Sequence, residues 1–264
     1  MGQAIVNGVS IHYETAGGGT PLVLIHGHPF DHTVWYKQVV GLSDLYYIVT
    51  PDLRGFGASS LPAGATRFED YATDMLCLLD HLEVQSFHLC GLSMGGQIIM
   101  EMYRQAPERI KSLIFADTFA GLDTPGVKQA RYETAARLER EGMDRYAGEV
   151  IGKMIMPEHV VSRPEVASHL LKMMTSAPPA GAAAALRARA ERINYLTLVL
   201  PEINVPALAI VGRHDEFTPV EKAEEIRQYL KNCKLAVIED SGHLPGMEQP
   251  DEFNRIMLNF LNTV

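Results

Sequence analysis

Gly91-Leu92-Ser93-Met94-Gly95-Gly96 stands between an apolar run, Ser86-Phe87-His88-Leu89-Cys90, and a stretch of helical character, Gln97-Ile98-Ile99-Met100-Glu101-Met102-Tyr103. The order is therefore strand, tight turn, helix, with a serine at the turn. A bare G-x-S-x-G is a weak pattern in a glycine-rich chain; between a buried strand and an amphipathic helix it reads as a nucleophile elbow. The reversal crowds backbone against side chain, so Gly91 and Gly95 sit where a Cβ is unwelcome. Ser93 is left at a helix N-terminus, where free N–H groups favour negative charge.

Outward from the elbow the chain alternates strands and helices. Strands are expected at 3–6 and 9–15 around the hairpin dipeptide Asn7-Gly8, then at 21–26, 46–50, 87–90 and 110–116. Helices are expected at 31–40 and 68–82. From 121 to 201 no buried-strand run occurs; helical stretches at 125–141, 143–156, 164–175 and 180–198 replace it. Alternation then resumes, with strands at 206–211 and 235–238 and helices at 218–230 and 251–262. Eight strands alternating with helices imply an α/β fold, a mostly parallel sheet with helices on both faces. Residues 1–120 and 202–264 would form the core domain. Residues 121–201 would form a helical cap, inserted after the sixth strand, over the carboxyl edge of the sheet, where such folds bind ligands.

A serine nucleophile needs a base, an acid to orient the base, and donors for the oxyanion. His243, in Asp240-Ser241-Gly242-His243, follows the last strand and is the candidate base. Asp215, in Gly212-Arg213-His214-Asp215, ends the seventh strand and is the candidate acid; it gives the chain order Ser, Asp, His. Asp117, at the end of the sixth strand, competes for that role, and Glu216 more weakly. The oxyanion donors would be the backbone N–H groups of Met94 and His28. Phe30, Trp35, Phe119 and Leu244 flank the site in sequence and would line the acyl pocket or serve packing alone. His26 and His28 have the spacing of metal ligands but no third partner nearby, so no metal is expected, and the triad chemistry needs no cofactor. The cap methionines, Met143, Met154, Met156, Met173 and Met174, read as core more than as pocket lining.

The charge of −9 argues against nucleic acid and anionic membrane surfaces. No apolar run reaches the length of a membrane span, and the first residues lack a signal-peptide or myristoylation pattern. Cys77, Cys90 and Cys233 are odd in number and scattered, as buried thiols in a reducing compartment would be. The expectation is a cytoplasmic monomer or homodimer acting on a small molecule.

Taken together, His26-Gly27-His28-Pro29, Asp52-Leu53-Arg54-Gly55-Phe56-Gly57, the elbow, Gly212-Arg213-His214-Asp215 and Gly242-His243 resemble the α/β-hydrolase superfamily over nearly the whole chain. The elbow is similar to those of carboxylesterases, enol-lactonases and cofactor-free haloperoxidases. Serine rather than aspartate at its tip sets it apart from haloalkane dehalogenases and epoxide hydrolases. The resemblance implies a serine hydrolase for a small to medium, mostly apolar ester or lactone. The same triad could instead serve perhydrolysis, haloperoxidation or carbon–carbon hydrolysis. The fold also serves as a non-enzymatic small-molecule sensor.

Overall fold

The computed structural model describes residues 1–264. Eight strands form one sheet: β1 (Gly2–Val6), β2 (Val9–Ala16), β3 (Thr20–Ile25), β4 (Tyr46–Pro51), β5 (Phe87–Leu92), β6 (Ile110–Ala116), β7 (Ala207–Gly212) and β8 (Cys233–Ile238). Their order is β1-β2-β4-β3-β5-β6-β7-β8. β2 pairs antiparallel with both β1 and β4, and every other pairing is parallel. The opening hairpin is set by Asn7 and Gly8, both at positive φ (48° and 74°), as a two-residue turn with the twist of a β-ribbon requires. β5 and β7 are buried along their whole length, in keeping with their mainly apolar sequences; the polar exception, His88, bonds Ser112 Oγ.

Strand order reverses direction beside β3, which lies between β4 and β5. At such a switch point the connections leave to opposite faces and open a crevice at the carboxyl ends of the strands. The loop after β3 carries His28, and the turn after β5 carries Ser93. The topology alone therefore brings these two residues, 65 positions apart in the numbering, to one crevice.

Helices α1 (Tyr36–Leu42), α2 (Phe68–His81) and α3 (Met94–Gln105) fall in the first half. Between β6 and β7 come α4 (Pro125–Glu141), α5 (Asp144–Met154), α6 (Pro157–Ser162), α7 (Pro164–Ser176), α8 (Pro179–Ala190) and α9 (Tyr195–Leu198). α10 (Val220–Tyr229), α11 (Pro245–Glu248) and α12 (Pro250–Leu261) complete the chain. α4 begins where local chemistry dictates: the Thr124 hydroxyl accepts the Val127 N–H, and Pro125 occupies the first helical position. The helix expected over 31–40 starts instead as a 3-10 turn, His32–Trp35, fixed by Asp31 accepting the Thr33 N–H. The stretch 180–198 divides into α8 and α9, and between them the Arg192 side chain bonds Asp123 and the Gly121 carbonyl.

The helices between β6 and β7 share the apolar layers of the sheet. Ala135, Leu138 and Ala182 join one buried cluster; Met154, Leu170, Met173 and Met174 join the other. Most of these methionines are therefore packing. No helix is long and apolar enough to cross a membrane.

Candidate active site

Ser93 sits at φ 54°, ψ −113°, a conformation that a non-glycine residue adopts only when its surroundings enforce it. The enforcement is visible. Its N–H donates to the Ala116 carbonyl of β6, and its own carbonyl accepts from the Thr118 hydroxyl and the Gly96 N–H. A Cβ on Gly91 would lie 2.4 Å from the Gly95 carbonyl oxygen, and one on Gly95 would lie 2.2 Å from that of Ile25. Both glycines are thus dictated by close backbone approach. The serine's backbone is pinned, while its side chain opens to a cavity of about 130 Å³ that His243 also lines.

His243 is aimed by one carboxylate, and its loop is anchored by a second. Its Nδ1 donates to Asp215 Oδ2 at 2.7 Å. The other Asp215 oxygen accepts the N–H groups of Phe217 and Thr218, at 2.8 and 3.0 Å, and the Thr218 hydroxyl donates to Oδ2. Burial alone would raise the Asp215 carboxyl; the His243 charge, the His243 hydrogen bond and Thr218 overrule it and hold it at about 2. Further back, Glu248 is wholly buried and accepts from Ser241 Oγ (3.0 Å) and the Gly242 N–H (2.8 Å). Its second oxygen takes the Met156 N–H and His159 Nδ1, so one carboxylate ties the His243 loop to α6.

Asp117 has a different fate from its competitor. It brings an oxygen within 4.8 Å of Asp215 and His243, yet the imidazole bonds Asp215. Asp117 Oδ1 accepts the Gly212 N–H at 2.9 Å, and Oδ2 has no partner. Burial, then the neighbouring Asp215 charge, push its carboxyl well above the usual range. Glu216 points away from the imidazole, toward Lys153 at 3.6 Å.

His28 and Met94 come from neighbouring strand ends. Met94 opens α3, where a helix leaves its first N–H groups unpaired, and His28 follows β3. A Cβ on Gly27, in the loop after β3, would lie 3.1 Å from the Ser93 Cβ. The imidazoles here are structural. His26 Nδ1 donates to the Gly27 carbonyl and Nε2 accepts the Leu53 N–H, locking this loop to the one after β4. His28 Nε2 donates to the Ala182 carbonyl of α8 at 3.1 Å; burial, then the charge of Arg189, lower its pKa to about 3, so it is neutral. These bonds engage both rings in protein contacts rather than as a pair of ligands. Asp117, Asp215 and His243 have a metal-ligand composition, as do His12, Glu14 and His32 beside β2, but the first trio is organised by the Asp215–His243 bond.

Of the four residues read as pocket lining, Phe119 lines the cavity shared by Ser93 and His243. Phe30, Trp35 and Leu244 do not: Trp35 and Leu244 pack with Phe253 behind the site, and Phe30 faces Met173 and Asp52 on another surface. Adjacency in sequence misleads there, because the loops turn those side chains into the apolar layer. The lining that sequence reading missed comes from helices far along the chain: Arg131 of α4, Tyr146 and Met154 of α5, Leu186 and Arg189 of α8. Phe217 and Thr218, beside Asp215, complete the wall. Phe119, Arg131, Tyr146, Leu186 and Phe217 also line a wider vestibule of about 590 Å³ leading outward.

The sequence pattern of the alpha/beta hydrolase fold matches residues 20–250. The chain is 31% identical over 249 residues to 3-oxoadipate enol-lactonase 2 of Acinetobacter baylyi, covering 93% of this chain and 91% of that protein. Among solved structures it is similar to a thermophilic esterase from Thermogutta terrifontis with malate bound: TM-score 0.95, 35% identity, 99% of this chain and 97% of that one. It also matches the enol-lactonase of Burkholderia xenovorans, with TM-score 0.92 and 27% identity over 99% of this chain and all of that one (100%).

Proposed function

The chain belongs to the α/β-hydrolase family, and from that premise we propose that it hydrolyses a small carboxylic ester or lactone through an acyl-enzyme on Ser93. The observation that carries this reading is the meeting of a strained, backbone-pinned serine with a carboxylate-oriented imidazole in one cavity. The relatives named as an esterase and as enol-lactonases support the choice of ester and lactone.

His243 Nε2 removes the Ser93 proton as Oγ attacks the substrate carbonyl. Asp215, already ionised through the neutral range, fixes the tautomer with Nε2 free and stabilises the imidazolium that forms. The carbonyl oxygen becomes an oxyanion held by the His28 and Met94 N–H groups, at the positive end of α3. His243 returns its proton to the leaving alcohol oxygen. A water molecule, deprotonated by the same ring, then splits the acyl-enzyme and releases the acid.

The test is turnover of a p-nitrophenyl ester series from acetate to decanoate by wild type and Ser93→Ala. Multiple turnovers are expected in wild type, with a loss of about 10³-fold or more in the variant. Activity untouched by Ser93→Ala would sink the acyl-enzyme mechanism.

A further inference from the structure

Arg189 is buried, with 8% of its surface exposed, in the wall of the cavity that Ser93 opens into. Its Nε donates to Gln97 Oε1 at 3.1 Å, and its two terminal guanidinium nitrogens have no acceptor in the protein. Nearby, Asp123 is clasped by both Arg131 (2.7 and 3.0 Å) and Arg192 (2.8 and 3.4 Å). Two of the three guanidinium groups therefore take the one nearby carboxylate and Arg189 has no share in it, in a protein whose overall charge is −9. A buried guanidinium with no carboxylate bonded to it is costly: burial, then the neighbouring charges of Arg131 and Arg192, push its pKa down from the usual arginine value. A ligand carboxylate would supply the missing pair of acceptors in the planar fork geometry that guanidinium prefers.

The placement is also specific. Gln97 lies one turn along α3 from the nucleophile. Its Nε2 donates to the Phe119 carbonyl, so its Oε1 is held facing Arg189 and fixes which nitrogens remain free. The Arg189 charge also reaches His28, the expected oxyanion residue. A carboxylate on Arg189 would thus sit a short chain away from a carbonyl carbon over Ser93.

We propose that Arg189 is a carboxylate-binding residue and that the natural substrate is an ester or lactone bearing a second, ionised carboxyl group; this rests on the hydrolase reading above. Arg131 adds to the positive field, and Gln97 positions the guanidinium. The pocket then selects an anionic substrate rather than the mostly apolar one that the sequence led us to expect.

The test compares kcat/KM for methyl butyrate and monomethyl succinate, which have equal carbon chains and differ in the terminal carboxylate, in wild type, Arg189→Met and Arg189→Lys. Wild type is expected to prefer the succinate ester by about tenfold or more, Arg189→Met to lower that ratio by roughly 100-fold, and Arg189→Lys to fall between. Because the lone charge is a liability without ligand, Arg189→Met should also melt higher than wild type, whereas loss of a merely structural contact would lower Tm. Equal hydrolysis of both esters by wild type, or a ratio indifferent to Arg189→Met, would overturn the subsite and leave the hydrolase reading standing. If neither ester turns over, the hydrolase reading is what has failed, and calorimetry with succinate decides the subsite. Binding lost in Arg189→Met supports it; no binding to wild type overturns it. Inorganic phosphate binding more tightly than succinate would overturn the carboxylate assignment.

Discussion

Asp117→Asn is the substitution through which the electrostatics of this site can be read most directly. The native carboxyl is 1% exposed, has one oxygen without a partner, and lies within 4.8 Å of ionised Asp215. At an effective dielectric near 20, two carboxylate charges at that separation repel by about 3 kcal/mol, before the cost of burial is added. Asp117 therefore holds its proton in the folded protein at pH values where the unfolded chain has released it. The sign follows: its stabilising contribution is complete below the ordinary value of 3.8 and is lost as pH rises toward the raised folded value. At 1.36 kcal/mol per unit, the penalty accumulated between 3.8 and pH 7 is at most about 4 kcal/mol. Asparagine is neutral in both states and keeps an acceptor for the Gly212 N–H. Asp117→Asn should thus be more stable than wild type at pH 7 by about 1–3 kcal/mol, the lower part of that range allowing for the fit of its amide. That corresponds to a Tm higher by roughly 2–10 °C. The assay is thermal unfolding of both proteins from pH 3 to 8, with ester hydrolysis alongside. The difference should be near zero at pH 3, grow with pH, and come with activity changed by no more than a few-fold. A pH-independent difference, or a variant less stable and much less active at pH 7, would refute the argument and show an ionised Asp117 in use.

Asp215→Asn is expected to lower kcat by about 10³- to 10⁴-fold, because the amide cannot hold the imidazole in the working tautomer, and neutral Asp117 would not restore it; near-normal kcat in this variant would remove Asp215 from the mechanism. The same substitution should forfeit ~2 kcal/mol of stability above pH 4, since the folded carboxyl sits at about 2 against an ordinary 3.8. That loss should vanish as the pH falls to about 2 in acid unfolding curves. Gly95→Ala puts a Cβ 2.2 Å from the Ile25 carbonyl oxygen, with backbone on both sides and no flexible tip to move. We expect destabilisation of about 3 kcal/mol or more, read from denaturant midpoints, with Gly126→Ala, whose Cβ meets nothing within 4 Å, as the neutral comparison.

The fold was legible in the sequence because its signals are local. Asn7-Gly8 specifies a hairpin through backbone conformation, continuous apolar runs specify strands covered on both faces, and Gly91, Ser93 and Gly95 specify a turn that only their spacing permits. Chain order alone nominated Ser93, Asp215 and His243, and the structure brings all three to one place. It also separated Asp215 from Asp117, which sequence could only rank: each ends a strand at the same sheet edge, and which carboxylate meets the imidazole depends on how the loop after β7 turns through Thr218. The wall opposite Ser93 and His243 was out of reach. Arg189 is one of two arginines in an alanine-rich helix, and nothing in its neighbours tells a solvated charge from a buried one. Its burial and its missing partner exist only once α4, α8 and α3 have packed together, because burial and pairing are properties of residues distant in sequence. The sequence by itself thus determined the sheet, the elbow and the kind of chemistry available, which rest on local conformation and residue type. Only the tertiary structure decided what faces Ser93, because the lining comes from residues distant in sequence, and the proposed preference for an anionic substrate rests on that lining.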